Sequence, residues 1–186
     1  QWEVVEEVAE LVKPALEELT RQAASGEVMH NDDTGMRVLK MERPAGDKRT
    51  GVFTSGIVSV GEGRRIALYF TGREHAGENL AEVLRHRAAG LPAVVQMCDA
   101  LSRNAPKLSE GVELLLANCM AHGRRQFVDV ADSFPEDCKF VLETLGGGYL
   151  NDAQARRNKV TKAERLRFHQ ERSGHVKGLA TDRDVV

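Results

Sequence analysis

The sequence predicts an α/β fold, a mixed sheet of antiparallel and parallel strands with flanking helices, and three observations carry that expectation. Residues 51–60 and 65–70 are strand-like runs on either side of Gly61-Glu62-Gly63, a hairpin signature. Two shorter apolar runs each close on an acid: one leads to Asp32 in His30-Asn31-Asp32-Asp33-Thr34, the other to Asp99 in Met97-Cys98-Asp99-Ala100. At both ends of the chain the apolar residues recur at helical spacing instead.

Taken in order, Val4, Val5, Val8, Leu11, Val12, Ala15, Leu16 and Leu19 predict an amphipathic helix over residues 2–23, bent or restarted at Pro14 and ended by Ser25-Gly26. Residues 27–31 lead as a strand into Asp32. Arg37-Val38-Leu39-Lys40-Met41 continues as strand past a turn at Thr34-Gly35, before a charged loop at residues 44–47. The hairpin is followed by a short helix over residues 79–87, by a strand over 93–97 that ends at Asp99, and by a further strand over 114–120. Beyond Pro135 the pattern is helical to about His169, and Thr161 and Glu164 have the spacing of a capping box that opens the last helix.

This order of elements matches a ribonuclease H-like arrangement. In that topology the first strand pairs with its hairpin neighbour on one side and, through a right-handed crossover, with the fourth strand on the other. Asp32 and Asp99 then meet at strand carboxyl ends where the strand order reverses, the place where such sheets bind ligands. Either acid alone reads more simply as a turn or capping residue; their paired placement shifts that balance. A carboxylate at a strand end is held rigidly while facing solvent, and two on neighbouring strands can share a divalent cation. Asp33 rivals Asp32, but adjacent strand residues face opposite ways, so only one of them can point into the site.

Composition narrows the class. At 186 residues, with 41% hydrophobic and 29% charged, the chain can bury one good core. The expected organisation is an N-terminal amphipathic helix over 1–24, a catalytic core over 25–160, and a basic helix and tail over 161–186. No apolar run of about 18 residues exists to span a bilayer and the N-terminus has no signal-peptide pattern, so the expected location is cytoplasmic. Cys98, Cys119 and Cys138 are odd in number and widely spaced, which argues for reduced thiols rather than a disulfide framework. The start on Gln1 and the polar ending suggest a piece of a longer protein.

The net charge of −2 is unevenly spread: residues 1–33 hold nine acids against Lys13 and Arg21, and residues 156–172 hold seven bases against Glu164 and Glu171. Both segments can be solvated helix faces. The basic one can equally attract a nucleic-acid backbone.

Four blocks resemble the insertion-sequence 66 (TnpC-type) transposases over about residues 1–176. They are residues 30–34, Gln96-Met97-Cys98-Asp99-Ala100, Cys119-Met120-Ala121-His122-Gly123-Arg124-Arg125-Gln126-Phe127, and Glu164-Arg165-Leu166-Arg167-Phe168-His169-Gln170-Glu171. The third block is the most specific. The resemblance implies a ribonuclease H-like core whose three acids bind divalent metal, usually Mg²⁺ or else Mn²⁺, and cleave and transfer DNA strands. By that match Asp32 and Asp99 are the first two acids and Asp152 the third, standing where most of the family carries Glu. Glu143 on the same helix is the rival. Gly146-Gly147-Gly148 lies between them, and glycines inside a helix cost about 1 kcal/mol each relative to Ala, so a break there is expected. His175 also departs from the family, which usually has Pro.

The resemblance further implies DNA as partner, both transposon ends and target, with homo-oligomerisation on DNA left open. His122, Arg124 and Arg125 are candidates for phosphate contact, or alternatively pair with Asp129 and Asp132; Arg156 and Arg157 head the basic segment. Cys119 and His122 lack a second ligand pair for structural zinc. Cys98 reads as a small apolar filler. Arg73, His75 and His86 read as ordinary surface residues and Trp2 as a helix anchor. The leading expectation is a DNA transposase catalytic core. The alternatives are a truncated or decayed copy that binds DNA or a partner without catalysis, and a ribonuclease H-like nuclease.

Overall fold

The structure, a computed structural model, describes residues 2–37, 46, 51–108 and 111–174. The chain divides into two compact units, one ending at Cys119 and the other beginning at Met120. The first contains α1 (Trp2–Ala24), β1 (Val28–Arg37), β2 (Gly51–Gly61), β3 (Arg64–Gly72), α2 (Ala76–Leu84), β4 (Val94–Cys98), a 3₁₀ turn at Ser102–Asn104 and β5 (Leu114–Asn118). The second contains α3 (Met120–Asp129), α4 (Pro135–Arg157) and α5 (Lys162–Arg172).

The strands form one five-stranded sheet in the order β3-β2-β1-β4-β5. β1 with β2 and β2 with β3 are antiparallel; β1 with β4 and β4 with β5 are parallel. This is a mixed α/β sheet consistent with the ribonuclease H-like arrangement. The hairpin turn has two residues, Glu62 and Gly63, both at positive φ (49° and 75°), as the tight turn between twisted strands requires.

Period-two alternation puts Met29, Ile57, Leu68 and Val94 on one face of the sheet, where they pack against Leu80, Val83 and Leu84 of α2 and Ala23 and Ala24 at the end of α1. Arg87 joins these layers: its guanidinium donates to the carbonyls of Ala24 (2.7 Å), Gly26 (2.9 Å) and Pro92 (2.7 Å), which supplies donors at the C-terminal end of α1. Burial in that position pushes its pKa down.

Several local expectations change. α1 runs through Pro14 without a break, and Val4, Val5, Val8, Leu11, Val12, Leu16 and Leu19 remain exposed. β1 does not end at Asp32 and does not turn at Thr34-Gly35. Thr34 and Gly35 pair with Thr54 and Phe53, because the long partner β2 continues the antiparallel ladder through them. The expected strand residues 38–41, most of the loop at 44–47, His175 and the polar ending lie outside the described residues.

In the second unit α4 continues through Gly146-Gly147-Gly148, so the glycines do not break it. It ends at Arg157, and Lys159 beyond the cap has a left-handed φ of 53°; Lys159 N–H donates to Arg156 and Val160 N–H to Ala155, closing the helix in a Schellman pattern. The capping box of α5 forms, with Thr161 and Glu164 bonding each other's backbone N–H groups. Cys138, Leu145 and Ala155 are the buried residues of α4.

Candidate functional site

Asp32 lies inside β1, but at the level where the pairing of β1 with β4 stops. The parallel register runs Val28 with Val95, Met29 with Gln96 and His30 with Met97. Asp32 and Asp99 each stand two residues further, at one level on adjacent chains where β4 has just ended. Both carboxylates also act on the Cys98 thiol between them: burial raises its pKa first, and Asp99 and then Asp32 add to the rise. Cys98 is a buried free thiol, in keeping with a filler role.

The pleat separates the two acids of β1. Asp32 is exposed, and its Oδ1 accepts the Asp33 N–H at 2.8 Å. The Asp33 side chain is only 1% exposed and both its oxygens are engaged: Oδ1 accepts from Ser55 Oγ at 2.7 Å, and Oδ2 lies 3.0 Å from His75 Nδ1. Ser55 in turn accepts from Asn79 Nδ2 at 2.8 Å, and the His75 ring packs on Phe53 with centroids 4.2 Å apart. Burial thus separates the pair, with Asp33 tying β1 to β2 and α2. His75, expected to be an ordinary surface residue, is half-buried in this cluster.

On the other side of Asp32, Asn31 enters a second buried cluster. Its Nδ2 donates to the Asn104 carbonyl (2.9 Å), and its Oδ1 accepts from Gln96 Nε2 (2.8 Å), which also donates to the Asn104 carbonyl (2.7 Å). Asn104 Nδ2 then donates to Asp99 Oδ1, the atom that also accepts the Leu101 N–H at 3.2 Å. Asp99 therefore bonds both the residue that leads into the 3₁₀ turn and Asn104 within it. α2 holds that turn in place by close approach at Gly77, where a Cβ would lie 2.5 Å from the Ala105 carbonyl oxygen and 2.7 Å from that of Arg103.

Sequence reasoning missed these clusters. The readable signal was a polar residue at a core position of a strand, as with Ser55 beside Ile57 and Gln96 beside Val94; partners such as Asn79, 24 residues from Ser55, and Asn31, 65 residues from Gln96, were not readable.

Asp152 has different company. Arg156 and Arg165 both grip its carboxylate, the latter through Nε at 2.9 Å, and His169 Nε2 lies 3.2 Å from Oδ1. Burial pushes the carboxyl up, but the bonds from Arg156, Arg165 and His169 outweigh that and lower its pKa from 3.8 to about 2. The group fastens α4 to α5, aided by Asn151 Nδ2 donating to the Arg172 carbonyl at 3.0 Å.

Of the candidate DNA contacts, Arg124 and Arg125 are exposed on α3 and make no ion pair among the described residues. His122 is half-buried, with Nδ1 lacking a hydrogen-bond partner. Arg156 is committed to Asp152, and Arg157 is exposed at the end of α4.

Two hard oxygen donors at one level suit Mg²⁺ or Mn²⁺ by their chemistry. Within neither unit do three or more His, Cys, Asp or Glu side chains gather as a metal site among the described residues. No helix among these residues is long and apolar enough to cross a membrane.

The mixed five-stranded sheet is consistent with a ribonuclease H-like arrangement, and Asp32 and Asp99 stand beyond the end of its parallel β1–β4 pairing. Comparison with known families matches residues 2–181 to the Transposase IS66 family, and the chain belongs to that family. Searches of curated proteins and of solved structures gave no match.

Proposed function

We propose that this transposase chain is a catalytic core for DNA strand cleavage and transfer in which Asp32, Asp99 and Asp152 are the acids that bind divalent metal. The observation that carries the reading is the placement of Asp32 and Asp99 at one level beyond the last paired residues of β1 and β4. A cation held there, Mg²⁺ or Mn²⁺, would lower the pKa of the attacking water or 3′-hydroxyl and stabilise the departing oxygen. The chain's own contribution is rigidity. Asp32 is flanked by Asn31 and Asp33, each locked in a buried cluster, and Asp99 is held by Leu101 and Asn104.

The partner in this reading is DNA. His122, Arg124, Arg125 and Arg157 contact its phosphates at transposon ends and target, Arg156 joining them on exchanging its Asp152 partner for phosphate, and the site of action is the cytoplasm. Replacing Asp99 with Ala is expected to abolish Mg²⁺-dependent cleavage of a DNA duplex while the circular dichroism spectrum stays unchanged; persistent cleavage would refute the assignment.

One observation favours a second reading, a copy that binds DNA or a partner without catalysis. The Asp152 carboxylate is already neutralised by two guanidinium groups. Metal-dependent cleavage by the unaltered chain would eliminate that reading, and an Asp152→Ala variant that cleaves normally would transfer the third role to another acid, with Glu143 the first to examine.

A further inference from the structure

We infer that Asn104 is the positioning residue that ties Asp99 to β1, through a buried chain of amides running Asn31, Gln96, Asn104. This rests on the proposal that Asp32 and Asp99 bind metal, and it adds what sets the spacing between them. Asn104 and Gln96 are both 0% exposed. The Asn104 backbone carbonyl receives two amide donors, one from the neighbour of Asp32 on β1 and one from β4, and its side chain passes a donor on to Asp99. One residue of a short 3₁₀ turn therefore links both strands that carry the acids.

The donor pattern determines the orientation of each amide. Gln96 Nε2 faces two acceptors and Asn104 Nδ2 faces a carboxylate, so in neither group can oxygen and nitrogen be exchanged without losing bonds. That orientation leaves Gln96 Oε1 and Asn104 Oδ1 buried without hydrogen-bond partners among the described residues. What the fixed orientation secures is the direction of the Asp99 carboxylate.

The donors on Asp99 are a neutral amide and a backbone N–H, so they orient the carboxylate without cancelling its charge. That is the property required of partners that support a metal ligand.

Asn104→Ala removes the donor to Asp99 and one orphaned oxygen, and it retains the backbone carbonyl that Asn31 and Gln96 use. It is therefore expected to fold. Mn²⁺ binding to the full 186-residue chain, read from the electron paramagnetic resonance signal of the free ion, should weaken about tenfold, with a cooperative urea transition retained. Asn104→Leu, which keeps the shape of the side chain and carries no donor, should do the same. Asp99→Ala is the control for the underlying reading. If it leaves Mn²⁺ binding intact, the proposed metal site fails. If it abolishes binding and both Asn104 variants bind as the unaltered chain does, the positioning role alone fails. A collapse of folding in both variants would make Asn104 a structural residue and overturn the inference as well.

Discussion

Asp99, just past the end of β4, and Asp152, within α4, are both carboxylates with several donors around them, but the donors differ in kind. Asp99 is held by the Leu101 N–H and the Asn104 amide, both neutral. Asp152 is held by Arg156, Arg165 and His169. Neutral donors orient an anion and leave its charge available to a cation; guanidinium donors orient it and cancel the charge. In the first unit backbone packing determines how the acid is presented, and in the second ion pairing does.

The contrast can be tested by perturbing each support in turn. The largest effect belongs to Gly77, whose Cβ would meet two backbone carbonyls of the turn carrying Asn104. Gly77→Ala should lower stability in urea denaturation by about 3 kcal/mol, the upper part of the range for overpacking, because backbone cannot yield as a side chain can.

Asp152→Ala should cost less, about 1–2 kcal/mol, since the partner arginine side chains are 70% and 45% exposed and water replaces much of what is lost. Calorimetry of the thermal unfolding transition measures it. The same carboxylate confers a pH dependence of known sign. Its folded pKa is depressed from 3.8 to about 2, so its stabilising contribution is complete above about pH 4 and disappears as pH falls through about 2. An Asp152→Asn variant should lose that part of the acid sensitivity; an unaltered acid-unfolding profile would show that the ion pairs do not persist in solution.

The smallest effect is that of salt. Raising NaCl to about 1 M shortens the screening length to about 3 Å and should lower the unfolding midpoint of the unaltered chain by a degree or two, with no such shift in Asp152→Ala. A salt response in the variant equal to that of the parent would remove the distinction between the two regions.

What was legible in the sequence follows the range of the interactions involved. The hairpin around Glu62 and Gly63, the Thr161–Glu164 cap and the strand leading to Asp99 depend on neighbours within a few residues, and each forms as read. Thr34-Gly35 looked like a turn because those residues favour turns locally; pairing with β2 overrides that preference. Gly146-Gly147-Gly148 looked like a helix break for the same reason, and α4 carries them because the helix around them supplies the bonding that the glycines do not favour. Asp32 and Asp99 were visible as a pair through topology alone. The clusters flanking Asp32 were not, since Asn31 is 73 residues from Asn104 and His75 is 42 residues from Asp33.

The bond to Asp99 makes a backbone amide sensitive to what happens at the carboxylate. Oδ1 of Asp99 accepts the Leu101 N–H, so a cation that binds this carboxylate changes the strength of that hydrogen bond while the donor stays in place. Occupancy of the carboxylate and protection of the Leu101 amide are thermodynamically linked, and each reports on the other. Hydrogen exchange at this single amide therefore offers a way to observe the acid directly, with no DNA present and no strand being cut.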